Sequence, residues 1–531
     1  MLARVRSGAL MGVDAVVVEV EVDMSLGMPF FSVVGLPEGA VKESKVRVVS
    51  AIKNGGFILP MKRITVNLAP ADLKKEGATF ELPIALGVLA AGSIVDLEPL
   101  QGYLFGGELS LDGALKPIRG VLPLALAARD HGFRGVMVPT ANAAEAALVD
   151  RIEVLPVESL TQAVMHFTGE APITPFDRAK AGQAQPPELS SLDMSDVRGQ
   201  DDVKDALEMA AAGGHNVLLC GPPGSGKTML ARRMPGILPR MKFQEQLEVT
   251  QIYSVLGLLG DGKALVTERP FRAPHHTISD AGLVGGGPLT RPGELSMAHR
   301  GLLFLDELPE FRRHVLEVLR QPLEEGVVRL ARANQHVAYQ CQVMLFAAMN
   351  PCPCGFFRVT NRRCSCKRVR RDDYFNRISG PLLDRLDVTL ETRPVDVKLL
   401  SGELPPSRTS AWFRDRVEAA RERQTHRFRE YPGLYCNAQM GPRLVERFCK
   451  MDANATEMLE RSVACFGLSA RAHDRIIKMA RSRADLEGRE HIDLEDLNFA
   501  IGCRVIDRAD WRGRSEEEPG EELPQKRHAR S

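Results

Sequence analysis

The spacing of apolar residues changes character twice along the chain. Over the first 170 or so residues, strand-like runs (VDAVVVEVEV, FFSVVGL, RITVNLAP, VMVP) interleave with runs at helical spacing (VKESKVRVVSAIKNG, FELPIALGVLAAG, VLPLALAARDHG). Such alternation predicts one compact α/β domain over 1–170. PITPFDRAKAGQAQPPELSS then mixes Pro, Gln and Ser without apolar periodicity and reads as a linker, 171–190. Three further buried-strand runs, HNVLLC, LLFLDEL and QVMLFAAMN, mark a second α/β domain over 191–395, and from there to about residue 510 the spacing is helical throughout. The last stretch, 511–531, is charged and poor in apolar groups, the composition of a disordered tail.

Between HNVLLC and the helical run MLARRMPGIL lies GPPGSGKT. A strand, a glycine-rich loop and a helix in that order form a phosphate cradle. Gly221, Pro222, Pro223, Gly224, Ser225 and Gly226 supply the loop whose N–H groups face phosphates, Lys227 reaches the β and γ oxygens, and Thr228 ligates Mg²⁺. The strand LLFLDE ends on Asp306 and Glu307. Phosphoryl transfer needs positioning and charge neutralisation, so Asp306 is the candidate Mg²⁺ partner and Glu307 the candidate base for an attacking water. The cofactors expected are therefore ATP and Mg²⁺.

Length and charge narrow the class. A chain of 531 residues suggests three or four domains, and its formal net charge of +1 gives no global field toward DNA or membrane. No apolar run approaches the ~20 residues of a membrane span, so a cytoplasmic protein is expected. In a reducing compartment clustered cysteines more often hold metal than form disulfides. Four of the ten cysteines, Cys352, Cys354, Cys364 and Cys366, lie in CPCGFFRVTNRRCSC, where two C-x-C pairs can close a structural Zn²⁺ site; free thiols or a regulatory disulfide are the alternatives. Arg358, Arg362, Arg363, Lys367, Arg368, Arg370 and Arg371 crowd this stretch, as a phosphate-contacting patch or a solvated, subunit-facing one. Phe356 and Phe357 either stack bases or pack the knob.

Asn350 ends QVMLFAAMN at a position that resembles the one where AAA+ ATPases place a polar residue beside the γ-phosphate; an Asn that turns the strand into a Pro loop is the plainer role. GPLLDRLD resembles the segment ending in an arginine that enters a neighbouring subunit's site, making Arg385 the candidate arginine finger and Arg377 the reserve; a surface salt bridge is the plainer role. The strings FRAPHHTISDAGLVGGGPLTRPGELSMAHRGLLFLDELPEF, YFNRISGPLLDRLD and LSARAHDRIIKMARSRADLEG resemble the Mg-chelatase-like ComM/YifB family of AAA+ proteins, over about residues 1–505. That resemblance implies an AAA+ core with a helix-2 insert drawn from 251–300, a pre-sensor hairpin in VVRLARANQHVAY, a helical lid over 396–510, and Arg471 as a lid arginine contacting the γ-phosphate. It also implies an N-terminal domain of the Lon-protease (ribosomal S5 domain 2) type. There the nucleophile position holds Thr79 and the lysine position Leu124; leucine cannot act as base, so a retired protease fold is expected, with Lys74 and Lys75 either touching phosphate or, the plainer reading, facing solvent. His275 and His276 are read as structural residues of the insert, since no Glu completes a metal motif. As function, the resemblance implies a hexameric, ATP-driven DNA motor for branch migration during transformation, with recombination proteins as possible partners. Arg329 and Arg332 would then line the pore. A motor subunit of a metal-chelatase-like complex is the alternative.

Overall fold

The computed structural model describes residues 1–35, 39–73, 75, 77–181, 192–260, 263–287, 290–332, 335–357, 362–393, 408–466 and 469–504. It is a mixed α/β molecule in which two sheets are followed by a group of helices. The expected tail, and Lys74, Arg358 and the side chain of Arg332, lie outside the described residues.

The N-terminal unit is built on a seven-stranded sheet. Its antiparallel centre pairs Leu2–Met11 with Asp14–Ser25, and Asp14–Ser25 with Arg63–Ala69. Leu2–Met11 also starts a parallel series through Tyr103–Phe105, Gly135–Pro139 and Glu153–Val157. Asp14–Ser25 alternates buried and exposed residues over its second half, as a half-covered strand should. Helix Glu81–Ala91 is buried at every residue, which explains why its sequence is apolar all round. Its one carboxylate, Glu81, accepts hydrogen bonds from Arg47 Nε (2.7 Å) and Leu109 N (2.8 Å). Burial raises its pKa, and those donors oppose the rise. Residues read as the start of a linker are packed: Phe176 N donates to Val154 O at 2.8 Å, and Ala181 joins the core of this unit.

The second sheet has five parallel strands in the order Phe271–Arg272, Leu302–Leu305, Met344–Met349, Val217–Cys220 and Val388–Glu391. Loops leaving the carboxyl ends of such strands form the usual ligand crevice. The stretch 251–300, where an insert is expected, includes regular structure of the second unit. Residues up to 256 complete the helix Phe243–Leu256, and Phe271–Arg272 is the sheet edge. Beyond it a short ladder pairs Gly285–Gly286 with Arg291–Pro292. Val327–Arg332 and Gln335–Gln340 form a separate antiparallel hairpin.

The helices Ser410–Arg427, Pro442–Phe448, Ala453–Phe466, Ala470–Leu486 and Leu494–Gly502 share one hydrophobic core with a face of this sheet. Their N-termini are capped as the sequence dictates: Thr409 accepts from Trp412 N, Ser469 from Ala472 N, and Asp493 and Asp496 form a capping box. No described helix is long and apolar enough to cross a membrane.

The N-terminal unit is docked on the second. Gln251 Nε2 donates to Val13 O (2.9 Å) and Asp14 Oδ1 (3.1 Å), Gly120 N donates to Ser254 O (3.1 Å), and the Ser254 hydroxyl donates to buried Glu145. Leu247 and Leu265 pack into the N-terminal core, and Val13 packs in return against a core of the second unit.

Candidate active site

Val217–Cys220 is buried throughout and lies between two parallel neighbours, so the chain leaving it emerges at the middle of the crevice. Gly224 (φ 78°) and Gly226 (φ 83°) take left-handed conformations that turn it into helix Lys227–Ile237. Gly221 is required for a different reason: a Cβ there would lie 2.1 Å from Thr392 Oγ1 and 2.5 Å from the Thr392 carbonyl. Ser225 Oγ meets Thr392 Oγ1 at 2.7 Å, and Gln200 Nε2 donates to Ser225 O at 2.7 Å. The loop is thereby held open from both sides, with the free N–H groups of a helix start facing into it.

Lys227 is buried, and its Nζ donates to Gly221 O (2.7 Å), Pro222 O (3.0 Å) and Asn350 Oδ1 (3.2 Å). Burial lowers its pKa; Cys220, Asp306 and Glu307 oppose the fall. Anionic phosphate oxygens would favour the charged ammonium further. Thr228 Oγ1 donates to Asp306 Oδ2 at 2.8 Å, so two hard oxygen donors already meet at one point. Such a pair fits Mg²⁺, which takes one or two protein oxygens and completes its shell with phosphates and water. Glu307 follows in a left-handed conformation (φ 52°), its own N–H donating to Asp306 Oδ1 at 2.9 Å, and its side chain is half exposed.

His276 is the neighbour that sequence reasoning missed. Its Nδ1 lies 3.7 Å from Glu307 Oε2, its ring meets Phe311 edge-on, and His275 is its ring neighbour at 4.1 Å. The cause is topological: Phe271–Arg272 runs parallel beside Leu302–Leu305, so the residues that follow each strand leave side by side. No spacing rule connects positions 276 and 307.

The structure brings together Lys227, Thr228, Asp306, Glu307 and Asn350, and it leaves the three candidate arginines elsewhere. Arg385 pairs with Glu324, and its carbonyl accepts from Asn216 Nδ2 at 2.8 Å. Arg377 pairs with Glu310 (3.0 Å), and exposed Arg471 stands 3.5 Å from Asp384 Oδ2. Arg329, on the hairpin, pairs with Glu325.

The four clustered cysteines converge. Sγ separations are 3.3 Å (Cys352 to Cys354), 3.7 Å (Cys352 to Cys364) and 3.6 Å (Cys354 to Cys364), and all four sulfurs lie within 4.8 Å of one another. A tetrahedral zinc with bonds of about 2.3 Å needs sulfurs roughly 3.8 Å apart, so the set fits that ion and none of these contacts is a disulfide. Burial raises the Cys354 pKa, but N–H donors from Phe356 and Ser365 together with the thiols of Cys352 and Cys366 outweigh it and bring the thiol down to about 6. The knob abuts the phosphate loop: a Cβ on Gly355 (φ 83°) would lie 2.6 Å from Pro223 Cδ. Arg362 and Arg371 cover the rings of Phe356 and Phe357, at 4.6 Å and 4.2 Å from their centroids.

Two N-terminal expectations resolve differently. Thr79 and Leu124 do come together, since a Cβ on Gly106 would meet Leu124 Cδ2 at 2.9 Å and Thr79 Cγ2 at 3.3 Å. Lys75, expected in solvent, is instead fully buried, and its ammonium donates to the Pro70 carbonyl. That bond and the surrounding packing take the side chain inward, and burial lowers its pKa.

A parallel sheet with a glycine-rich phosphate loop on one strand and an Asp-Glu pair two strands away defines a phosphate-loop nucleotide-binding protein. Three family profiles match: "Magnesium chelatase, subunit ChlI" over 193–400, "Subunit ChlI of Mg-chelatase" over 20–142, and "Magnesium chelatase, subunit ChlI C-terminal" over 407–504. The chain is 42% identical to "Competence protein ComM" of Haemophilus influenzae, over 95% of this chain and 98% of that one. It is 41% identical to "Uncharacterized protein YifB" of Escherichia coli, over 96% and 98%. A local match of 103 residues, 28% identical, relates it to an archaeal Lon protease of Methanocaldococcus jannaschii, over 19% of this chain and 16% of that one. The chain belongs to the Mg-chelatase-like ComM/YifB family, a family of AAA+ ATPases.

Proposed function

We propose that this protein is an ATP-hydrolysing ring motor that acts on DNA. The observation that carries the hydrolytic part is the meeting of Thr228 and Asp306 at 2.8 Å, beside Lys227 bonded to Asn350. Gly221 to Gly226 would cradle the phosphates, Lys227 would hold the β and γ oxygens, and Thr228 and Asp306 would hold Mg²⁺. That ion would supply charge neutralisation between the β- and γ-phosphates. Glu307, turned outward at the end of its strand, would take a proton from the attacking water. Asn350 would bond the γ-phosphate. Arg385 and Arg471 would act on the nucleotide only after leaving Glu324 and Asp384, which assembly into a ring, six subunits in this reading, would bring about.

The similarity to a competence protein of Haemophilus influenzae supports the DNA part. We read the activity as branch migration of single-stranded DNA being integrated during transformation, alongside recombination proteins, in the cytoplasm. The cysteine knob would be a structural Zn²⁺ site. The magnesium-chelatase descriptions of the matching profiles favour one other reading, a motor for a metal-chelatase-like complex.

The test measures ATP turnover and oligomer size with and without single-stranded DNA at two salt concentrations, beside Glu307→Gln. The variant should bind ATP and lose at least about 100-fold in turnover, the scale of general-base catalysis. Salt-sensitive stimulation by DNA together with ring assembly is the expected result. Turnover indifferent to DNA would discard the DNA motor and leave the chelatase-like reading.

A further inference from the structure

Away from the phosphate loop, a cavity of about 510 Å³ opens among the carboxyl ends of Ser410–Arg427, Pro442–Phe448 and Ala470–Leu486. Five cations line it against two carboxylates. Helix carboxyl ends carry partial negative charge and attract basic residues, which accounts for part of this set.

Of the two carboxylates, exposed Glu490 makes no ion pair among the described residues, and Asp485 is already committed. Asp485 is fully buried and already accepts from Arg427, Arg481 Nε (3.1 Å) and Asn437 Nδ2 (2.8 Å). Arg489 turns away to Asp493 (3.1 Å) and Asp496 (2.8 Å). Arg423 bonds the Asp485 main-chain carbonyl (2.8 Å), which removes none of its charge. Arg447 reaches the Tyr431 hydroxyl and stands 3.9 Å from exposed Glu430. Among the described residues, the exposed ammonium of Lys450 has no partner. At the same opening Phe448 is half buried, with the Arg447 guanidinium 5.1 Å from its ring centroid.

We propose that this cavity binds a phosphate-bearing nucleotide unit, its phosphate held by Arg423, Arg447 and Lys450 and its base set against Phe448. Uncompensated cations beside one apolar ring suit an anion joined to a flat base better than a carboxylate side chain, which offers no ring to stack. A free nucleotide and one residue of a single strand share this chemistry. The site is separate from the phosphate loop and does not depend on the motor reading.

The experiment uses the full chain with the phosphate loop saturated by a non-hydrolysable ATP analogue. Fluorescence anisotropy follows a labelled oligothymidylate and, separately, a labelled adenosine monophosphate, for the wild type and for R423Q/K450Q. Among the described residues neither makes a side-chain ion pair, and a melting curve of the double variant reports any cost of losing the Arg423 bond to the Asp485 carbonyl; K450Q alone, which removes no such bond, and Phe448→Leu, which keeps the cations and removes the ring, are the further variants. Binding should fall at least tenfold in the double variant and severalfold in Phe448→Leu. If the polymer is the ligand, the slope of log affinity against log salt should also fall by about 1.4, two contacts at roughly 0.7 each. Loss confined to the monophosphate identifies a free-nucleotide site, even if oligonucleotide binding and the DNA motor both fail. Wild-type affinity for both probes in R423Q/K450Q, or no wild-type binding of either, overturns the proposal.

Discussion

Gly355 carries more of the site than a loop glycine usually does. It sits at φ 83°, and any Cβ would press on the ring of Pro223, so the cysteine knob and the phosphate loop share one contact. Gly355→Ala should therefore weaken ATP binding severalfold while leaving the metal content of the protein unchanged, as read by nucleotide titration beside metal analysis. Unchanged affinity would mean that the loop yields without consequence. That Lys227, Thr228, Asp306 and Glu307 would gather at one place was legible in the sequence because each sits in a contiguous string with a fixed backbone habit. The cysteines were legible for the same reason. Lys75 was not, because nothing local distinguishes a lysine that turns inward onto a carbonyl from one in water. His276 was not, because its nearness to Glu307 comes from strand adjacency across 31 positions, His276 to Glu307.

Among the elements, helix Phe243–Leu256 is bonded on two sides. Toward the acidic strand, Glu248 accepts from Arg300 Nε (2.8 Å) and from His299 Nε2 (3.2 Å), while Gln342 N donates to His299 Nδ1 (3.1 Å). Only the neutral imidazole with its proton on Nε2 satisfies both contacts. Burial lowers the His299 pKa accordingly. Burial would raise Glu248, but His299 and Arg300 outweigh it and hold the carboxyl at about 2. Both groups act in one direction on stability. A glutamate depressed from its unfolded value of about 4.3 stabilises the fold above that pH and loses the contribution as pH falls toward 2; a histidine depressed from about 6.5 favours the fold above 6.5 and opposes it progressively below. The melting temperature should thus fall as pH drops from 7 to 4, and Glu248→Gln should lower it at pH 7 and flatten its decline below pH 4.5. An equally steep decline in the variant would assign the acid sensitivity elsewhere. The knob makes a second prediction at this scale. If Zn²⁺ closes the four thiolates, a chelator or Cys352→Ser should release about one metal equivalent and lower the melting temperature, because binding energy at a structural site is folding energy.

At the scale of the molecule, the pattern of strands and helices predicted two α/β sheets followed by helices, and that order is what the chain adopts. How the sheets are joined left no trace in the sequence. The strand Leu2–Met11 that begins the first sheet was passed over because its apolar residues are interrupted by Arg4, Arg6 and Ser7. The docking of the two units was invisible for another reason: Glu145 and Ser254 are a carboxylate and a hydroxyl 109 positions apart, each unremarked where it stands. Burial raises the Glu145 pKa, and Ser254, Leu122 N and Asn142 oppose the rise. Ser254→Ala should accordingly cost about 1–3 kcal/mol, the range for leaving a buried polar group short of a partner, measurable by chemical denaturation. A change within ±0.5 kcal/mol would show that water replaces the hydroxyl.

That docking also bears on how the protein can be handled and how its gene can be cut. Leu247 and Leu265 find their apolar neighbours in the N-terminal unit, and Val13 finds its own across the joint. A shortened protein starting near Leu192 would carry a bare greasy face where the N-terminal unit had been. It should clump at concentrations where the whole chain stays dispersed, and an intact nucleotide site would not rescue it.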